Sequence, residues 1–72
     1  MQVHRATLSG GKEVSEGARV RVTSGPHEGE RGEVMIIHIC PSTDGGRYVL
    51  VWVRLDREGC TDAFAPERLE LE

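Results

Sequence analysis

Hydrophobic and polar residues alternate along much of the chain from residue 17 onward. In residues 18–23, Val20 and Val22 fall on one side of an extended strand, and Arg19 and Arg21 fall on the other. This two-residue period predicts a half-buried β-strand. The pattern is strongest in residues 47–55, where four aliphatic residues share one face: Val49, Val51, Val53 and Leu55.

Three further segments complete the predicted strands. Residues 34–40 are apolar on both faces, which requires cover on both sides or a β-bulge that redirects the side chains. Residues 60–65 and 69–71 are shorter strands, and Pro66 between them suits the first position of a short helical turn. Residues 56–59 predict a hairpin turn, and the other connections are rich in Gly and Pro.

Five closely spaced strands without helical periodicity predict an all-β domain over residues 17–72. A small five-stranded SH3-like barrel, with a short 3-10 turn before the last strand, fits this order and leaves no open edge. Residues 1–16 are predicted to be an N-terminal arm or an edge strand. The predicted core consists of Val20, Val22, Val34, Val49, Val51, Val53, Phe64 and Leu69.

Composition and charge narrow the function classes. The chain has 72 residues and a net charge of −3, which is consistent with one small domain and argues against a general polyanion binder. Residues 1–32 carry a net charge of +1 and residues 33–72 a net charge of −4. Basic character is therefore concentrated around the first regular strand, where Arg19 and Arg21 lie on its outer face, with Arg5 and Lys12 as further candidate members.

Several site types lack support in the sequence. No apolar run approaches the roughly 20 residues that span a bilayer, and residues 1–5 lack the apolar core of a signal peptide, so we expect a cytoplasmic protein without a membrane partner. Cys40 and Cys60 are expected to be free thiols in a reducing compartment. The three histidines are not at metal-ligand spacing, and no group orients a thiol–histidine pair. We therefore expect no metal, no cofactor and no catalytic residue.

One segment resembles a known motif. Residues 17–37 read GARVRVTSGPHEGERGEVMII, in which a strand is followed by a glycine-rich loop and a Gly-x-Val opens the next strand. This arrangement resembles the KOW motif, which occurs on SH3-like barrels of ribosomal proteins and bacterial transcription elongation factors. Residues 64–69, reading FAPERL, resemble the turn before the last strand of such barrels.

The resemblance implies a non-catalytic binding module of the transcription or translation machinery, with RNA or a ribonucleoprotein as partner. The loop at residues 25–32 is then the candidate surface, presenting backbone amides and Arg31 beside Arg19 and Arg21. Gly25 and Gly29 are expected to adopt positive φ, and Gly32 to let the backbone bend into the next strand.

A second candidate surface comes from the strand at residues 47–55. If its valines fill the core, Tyr48 and Trp52 point outward together with Leu50. Such a row can stack on bases, bind a partner protein or be covered by the N-terminal arm or a second copy of the chain. The alternative function is therefore a protein–protein interaction module, homodimeric in one form, without a nucleic-acid role.

A remote alternative is an oligomeric reductase. Residues 17–22 and 66–69 resemble the strand starts and end of a plasmid-borne dihydrofolate reductase family, which builds its site at the centre of a tetramer of SH3-like barrels. That family uses a Val-Gln-Ile-Tyr strand, whereas residues 61–64 here read TDAF. No catalytic residue is therefore carried over, since fold analogy alone does not transfer function.

Overall fold

The described chain consists mainly of β-strands. The computed structural model describes residues 1–8, 10–57 and 59–72, and within them it contains eight strands and no α-helix. In chain order these are β1 (Gln2–Val3), β2 (Arg5–Thr7), β3 (Glu13–Ser15), β4 (Arg19–Val22), β5 (Arg31–Pro41), β6 (Arg47–Leu55), β7 (Thr61–Phe64) and β8 (Leu69–Leu71). A 3-10 turn, Pro66–Arg68, separates β7 from β8. The all-β class and the 3-10 turn are confirmed.

The strand count and the sheet closure differ from the prediction. Five strands pair antiparallel in the order β7-β6-β5-β4-β8, and these correspond to the five predicted strands. The three additional strands lie in residues 1–16: β1 pairs with β5, while β2 and β3 form a separate hairpin. Among the described residues no pairing joins β7 to β8, so the sheet is an open path and not a closed barrel. Both terminal strands are short, at four and three residues, and Pro66 cannot continue the β7 ladder because it lacks an N–H. Glu58, part of the predicted hairpin turn, lies outside the described residues.

A β-bulge in β5 explains how residues 34–40, which are apolar on both faces, are accommodated. The β5–β6 register shifts between Val34 and Ile36, so Met35 has no partner on β6. Val34 and Ile37 consequently both point into the core, where they are buried, whereas Met35 and Ile36 are exposed. The bulge therefore divides residues 34–40 into an inner and an outer face, as the sequence pattern required.

The core contains nearly all the predicted residues and several more. Seven of the eight predicted core residues are buried, and Val49 is half-buried against them. Further buried residues come from β5 and β6 and from the β2–β3 segment: Ile37, Leu55, Ala6, Leu8 and Val14. The N-terminal hairpin thus contributes to the same core as the sheet, and its burial stabilises the small domain.

The burial of the β6 valines predicts that truncating Val51 lowers the free energy of unfolding more than truncating Val49. Val51 is fully buried, so Val51→Ala should lower the free energy of unfolding by about 2–3 kcal/mol through lost burial and a residual cavity. Val49→Ala, the same change on the same face, should cost about 1 kcal/mol because Val49 is only half-buried. Urea titrations of the two variants measure both values. Equal costs would contradict the placement of Val49 at the margin of the core.

Candidate binding surfaces

The outer face of the sheet carries two rows of charged residues that contain both signs. Across β8, β4 and β5, Arg21 is opposite Glu70 on one side and Arg31 on the other. Across β4, β5 and β6, Glu33 is opposite Arg19 on one side and Arg54 on the other. With Asp56 and Glu72 at the strand ends, these residues form what we call the charge ladder: Arg19, Arg21, Arg31, Arg54, Glu33, Asp56, Glu70 and Glu72.

Three arginines of the predicted basic surface, Arg19, Arg21 and Arg31, form ion pairs within the ladder, whereas the further candidate Arg5 lies on β2, outside this sheet. Arg19 donates from both terminal nitrogens to the Asp56 carboxylate, with an Nη1–Oδ1 distance of 2.9 Å, and its Nε lies 3.4 Å from Glu72. Arg31 Nη1 lies 3.2 Å from the other oxygen of Glu72, and Arg21 pairs with Glu70. The ladder has four cations and four anions, so its formal charge is zero and it is not the basic surface that the sequence suggested.

The ion pairs shift the titration of two ladder groups. The bidentate contact with Arg19, followed by the charges of Arg19, Arg54 and Arg31, lowers the pKa of Asp56 below its ordinary value. The same contact with Asp56 raises the pKa of Arg19 further above its already high value. The pair therefore remains ionised throughout the neutral range.

The loop at residues 25–32 is closed by contacts to neighbouring strands. Gly25 and Gly29 adopt positive φ values of 90° and 89°, as expected, and the Gly29 N–H donates to the Val22 carbonyl at 2.8 Å. His27 Nδ1 lies 2.7 Å from Glu30, its Nε2 lies 3.3 Å from Asp62 on β7, and its ring packs edge-on against Phe64. This role of His27 was not predicted from the sequence, because its partners Glu30, Asp62 and Phe64 come from two separate segments of the chain.

Gly32 lies where β5 and β6 are in close contact. A Cβ placed on it would lie 2.4 Å from the Arg54 carbonyl oxygen and 2.6 Å from Val53 Cγ1. The residue is buried within the sheet, opposite Leu55 of β6. Glycine is required at this position for close approach, while the bend in β5 occurs later, at Met35.

An apolar row lies on the outer face of β5 and β6, beyond the ladder. Trp52 is half-buried and opposite Ile36, and Tyr48 is 48% exposed and opposite Cys40. Leu50 lies between them opposite His38. We call Ile36, Tyr48, Leu50 and Trp52 the apolar strip. The outward orientation of Tyr48 and Trp52 agrees with the alternation in β6. The outward orientation of Ile36 depends on the bulge and could not be predicted from the sequence.

The described residues show no further chemical centre. No group of three or more His, Cys, Asp or Glu among them is arranged to hold a metal ion. A shallow depression formed by Glu28, Glu30, Arg31, Asp56 and Arg57 mixes three anions with two cations. No helix in the described part of the chain has the length and apolar character needed to cross a membrane.

Replacing Gly32 by alanine should destabilise the domain more than replacing Gly29, because a methyl group at Gly32 would clash whereas one at Gly29 would only strain the backbone. Gly32→Ala should destabilise the domain by about 3 kcal/mol, because the new methyl meets backbone atoms of β6. Gly29→Ala meets open space and should cost only about 1–2 kcal/mol for the strained φ. Thermal unfolding followed by circular dichroism compares the two variants. A smaller cost for Gly32→Ala would show that β5 and β6 can separate there.

The Asp56 ion pair predicts an acid-sensitive contribution to stability. Because the pKa of Asp56 is lower in the folded than in the unfolded state, its carboxylate stabilises the fold above about pH 4, and this contribution is lost as pH falls. Asp56→Asn should therefore unfold at lower urea concentration than the unsubstituted chain at pH 7, and this difference should shrink as the pH falls through the lowered pKa of Asp56.

Asp44→Asn provides the control for this prediction. A hydrogen bond from the Gly46 N–H, and not an ion pair, is the main cause that lowers the pKa of Asp44. Raising NaCl to about 1 M should reduce the Asp56→Asn effect more than the Asp44→Asn effect. An Asp56→Asn effect that is independent of both pH and salt would contradict the ion pair.

The two surfaces adjoin on one sheet. Arg54 and Trp52 both point outward from β6 two residues apart, so the neutral charge ladder ends where the apolar strip begins. The sequence-predicted residues Arg19, Arg21 and Arg31 belong to the ladder, and Tyr48 and Trp52 to the strip. Comparison of the chain with protein-family models, curated proteins and solved structures yields no match.

Proposed function

We propose that the chain is a non-catalytic protein-binding module that recognises its partner through the apolar strip. The observation that carries this proposal is the outward row of large apolar side chains, of which Tyr48 and Ile36 are 48% and 38% exposed. Aromatic residues on a rigid sheet lose little conformational freedom on binding, and they are enriched at the energetic centres of protein interfaces.

The charge distribution favours a protein partner over RNA. Phosphate binding gains free energy when Lys and Arg side chains release condensed counterions from the nucleic acid. Here Arg19, Arg21 and Arg31 are already neutralised by carboxylates of the same chain. RNA would have to displace those carboxylates, and their negative charges would remain beside the phosphates.

The proposal includes an SH3-like fold of the KOW type, with its barrel open between β7 and β8, and a setting in the transcription or translation machinery. Its support is the resemblance of residues 17–37 together with the antiparallel order β7-β6-β5-β4-β8 and the 3-10 turn before β8. A ribonucleoprotein partner is compatible with this setting when the contact is made to its protein component.

The proposal predicts that a charge placed on the strip abolishes binding. Ile36→Lys should weaken capture of the natural partner from a lysate of the source organism by at least about tenfold, because it puts an ammonium group beside Trp52. Ser24→Lys makes the same change in net charge at an exposed position after β4 and should bind normally. The single tryptophan provides a second readout, since partner binding should shift its fluorescence to shorter wavelength.

A gel-shift assay with total cellular RNA at low and moderate salt distinguishes the nucleic-acid alternative. We expect no RNA complex that depends on the ladder arginines. A complex that forms at low salt, weakens steeply with added salt and is lost on combined substitution of Arg19, Arg21 and Arg31 by Gln would contradict the proposal and favour RNA binding. Equal partner capture by Ile36→Lys and Ser24→Lys would also contradict it.

A further inference from the structure

Within residues 1–8, 10–57 and 59–72, no strand pairs with the first half of one edge of β6. β7 pairs with β6 only from Val51 to Arg54, and the chain then turns away at Pro66 into the 3-10 turn. On its other edge β6 pairs with β5 along its whole length, through to Arg47. The segment of β6 before Val51 is therefore paired on one side only.

The backbone groups of Arg47 and Val49 point toward this unpaired edge. In an antiparallel strand successive residues direct their N–H and C=O groups to alternate sides. The Leu55 N–H donates to the Cys60 carbonyl at 2.9 Å, so Leu55 faces the β7 side, and residues at two-residue intervals before it do the same. Ile39, opposite Val49, exchanges both of its backbone hydrogen bonds with Met1, at 2.8 Å each, and so leaves Val49 facing away from β5.

A groove runs along this edge. It has a volume of about 360 Å³, and its walls include Thr7, Tyr48, Leu50 and Pro66. Thr7 adds a second unpaired backbone edge, because the Leu8 N–H bonds to Lys12 and the alternation then directs Thr7 away from β3.

The groove also presents opposite charges. Arg47 lies where β6 begins, and Glu67 lies in the turn that follows β7. Neither side chain forms an ion pair with any residue that the structure describes, in contrast to the ladder arginines. The groove therefore combines unpaired backbone donors and acceptors with one free cation and one free anion, counted over residues 1–8, 10–57 and 59–72.

The free edge of β7 differs from that of β6, because a side chain is bonded to its outward N–H. Asp62 Oδ1 accepts a hydrogen bond from the Ala63 N–H at 2.9 Å, and Ala63 is the residue whose backbone faces away from β6. A side chain thus occupies the donor that an added strand would need, which is a common protection of exposed edges. No such side-chain contact occurs at Arg47 or Val49 among the described residues.

We infer that the groove binds an extended peptide segment of a partner protein, which adds a strand to β6 beside Arg47 and Val49. The inference rests on the proposed protein-binding function and specifies the form of the partner. Backbone groups at two-residue spacing match only another extended backbone, and alternate side chains of the peptide would contact Tyr48, Leu50 and Pro66. Bound antiparallel to β6, the peptide places a basic residue near Glu67 at its amino end and an acidic residue near Arg47 at its carboxyl end.

The test compares two substitutions at one exposed position. Arg47→Pro removes the N–H that faces the groove without breaking a hydrogen bond of the β5–β6 ladder, and Arg47→Ala removes the same side chain but keeps the N–H. Peptides selected on the unsubstituted chain from a phage-displayed library of random 12-residue sequences serve as probes. We expect them to bind Arg47→Pro about tenfold more weakly than Arg47→Ala. In amide spectra, the Arg47 and Val49 signals should shift on peptide addition.

A change in the peptide tests the same hydrogen bonds without altering the protein. N-methylation at alternate peptide residues should abolish binding in one register and leave it intact in the other. Equal binding to Arg47→Pro and Arg47→Ala, insensitivity to N-methylation in both registers, or failure to select any peptide would overturn the inference. If Ile36→Lys still abolishes partner capture in that case, the proposed function stands and only the edge-binding mode is wrong.

Discussion

The β-bulge at Met35 is the constraint on which the arrangement of this protein depends. Before the bulge, the backbone of β5 pairs with β4 at Gly32 and bonds to Gly17 and Ala18 through Val34; after it, β5 pairs with β1 at Ile37 and bonds to Met1 through Ile39. The extra residue keeps Val34 and Ile37 in the core on either side of the shift. Without it, one half of β5 would point its aliphatic side chains into solvent, because a one-residue slip inverts the faces of a strand.

Both surfaces follow from that register. It places Ile36 opposite Trp52 and so completes the apolar strip, and on the other side of the bulge it places Glu33 between Arg19 and Arg54. The same sheet is thus neutral and self-paired at one end and apolar at the other. Arginine side chains that are already paired with carboxylates offer little to a phosphate, whereas a partly exposed apolar row gains free energy when a partner removes it from water.

The strand assignments show how much could be predicted locally. Alternation in residues 47–55 predicted both faces of β6 correctly, since each side chain's side depends only on the parity of its position. The Pro66 turn was predicted for a similar local reason. The N-terminal strands were not resolved into β1, β2 and β3, because two- and three-residue strands have too short a pattern to detect. Leu8 and Val14 joined the core through contacts with distant segments.

The sequence alone determined the fold class, the inner face of β6, the positive φ of Gly25 and Gly29 and the outward direction of Tyr48 and Trp52, because each is a property of a few consecutive residues. Only the tertiary structure decided that Arg19 pairs with Asp56 and that the Arg54 carbonyl leaves no room for a side chain at position 32. It also decided that, among the described residues, β6 has one edge unpaired beside Val49. Those features depend on strand register and on where β7 ends relative to β6. Both the register and the end of β7 are determined by pairing between segments that are far apart in the chain. The local alternation of polar and apolar residues carries no information about such pairing.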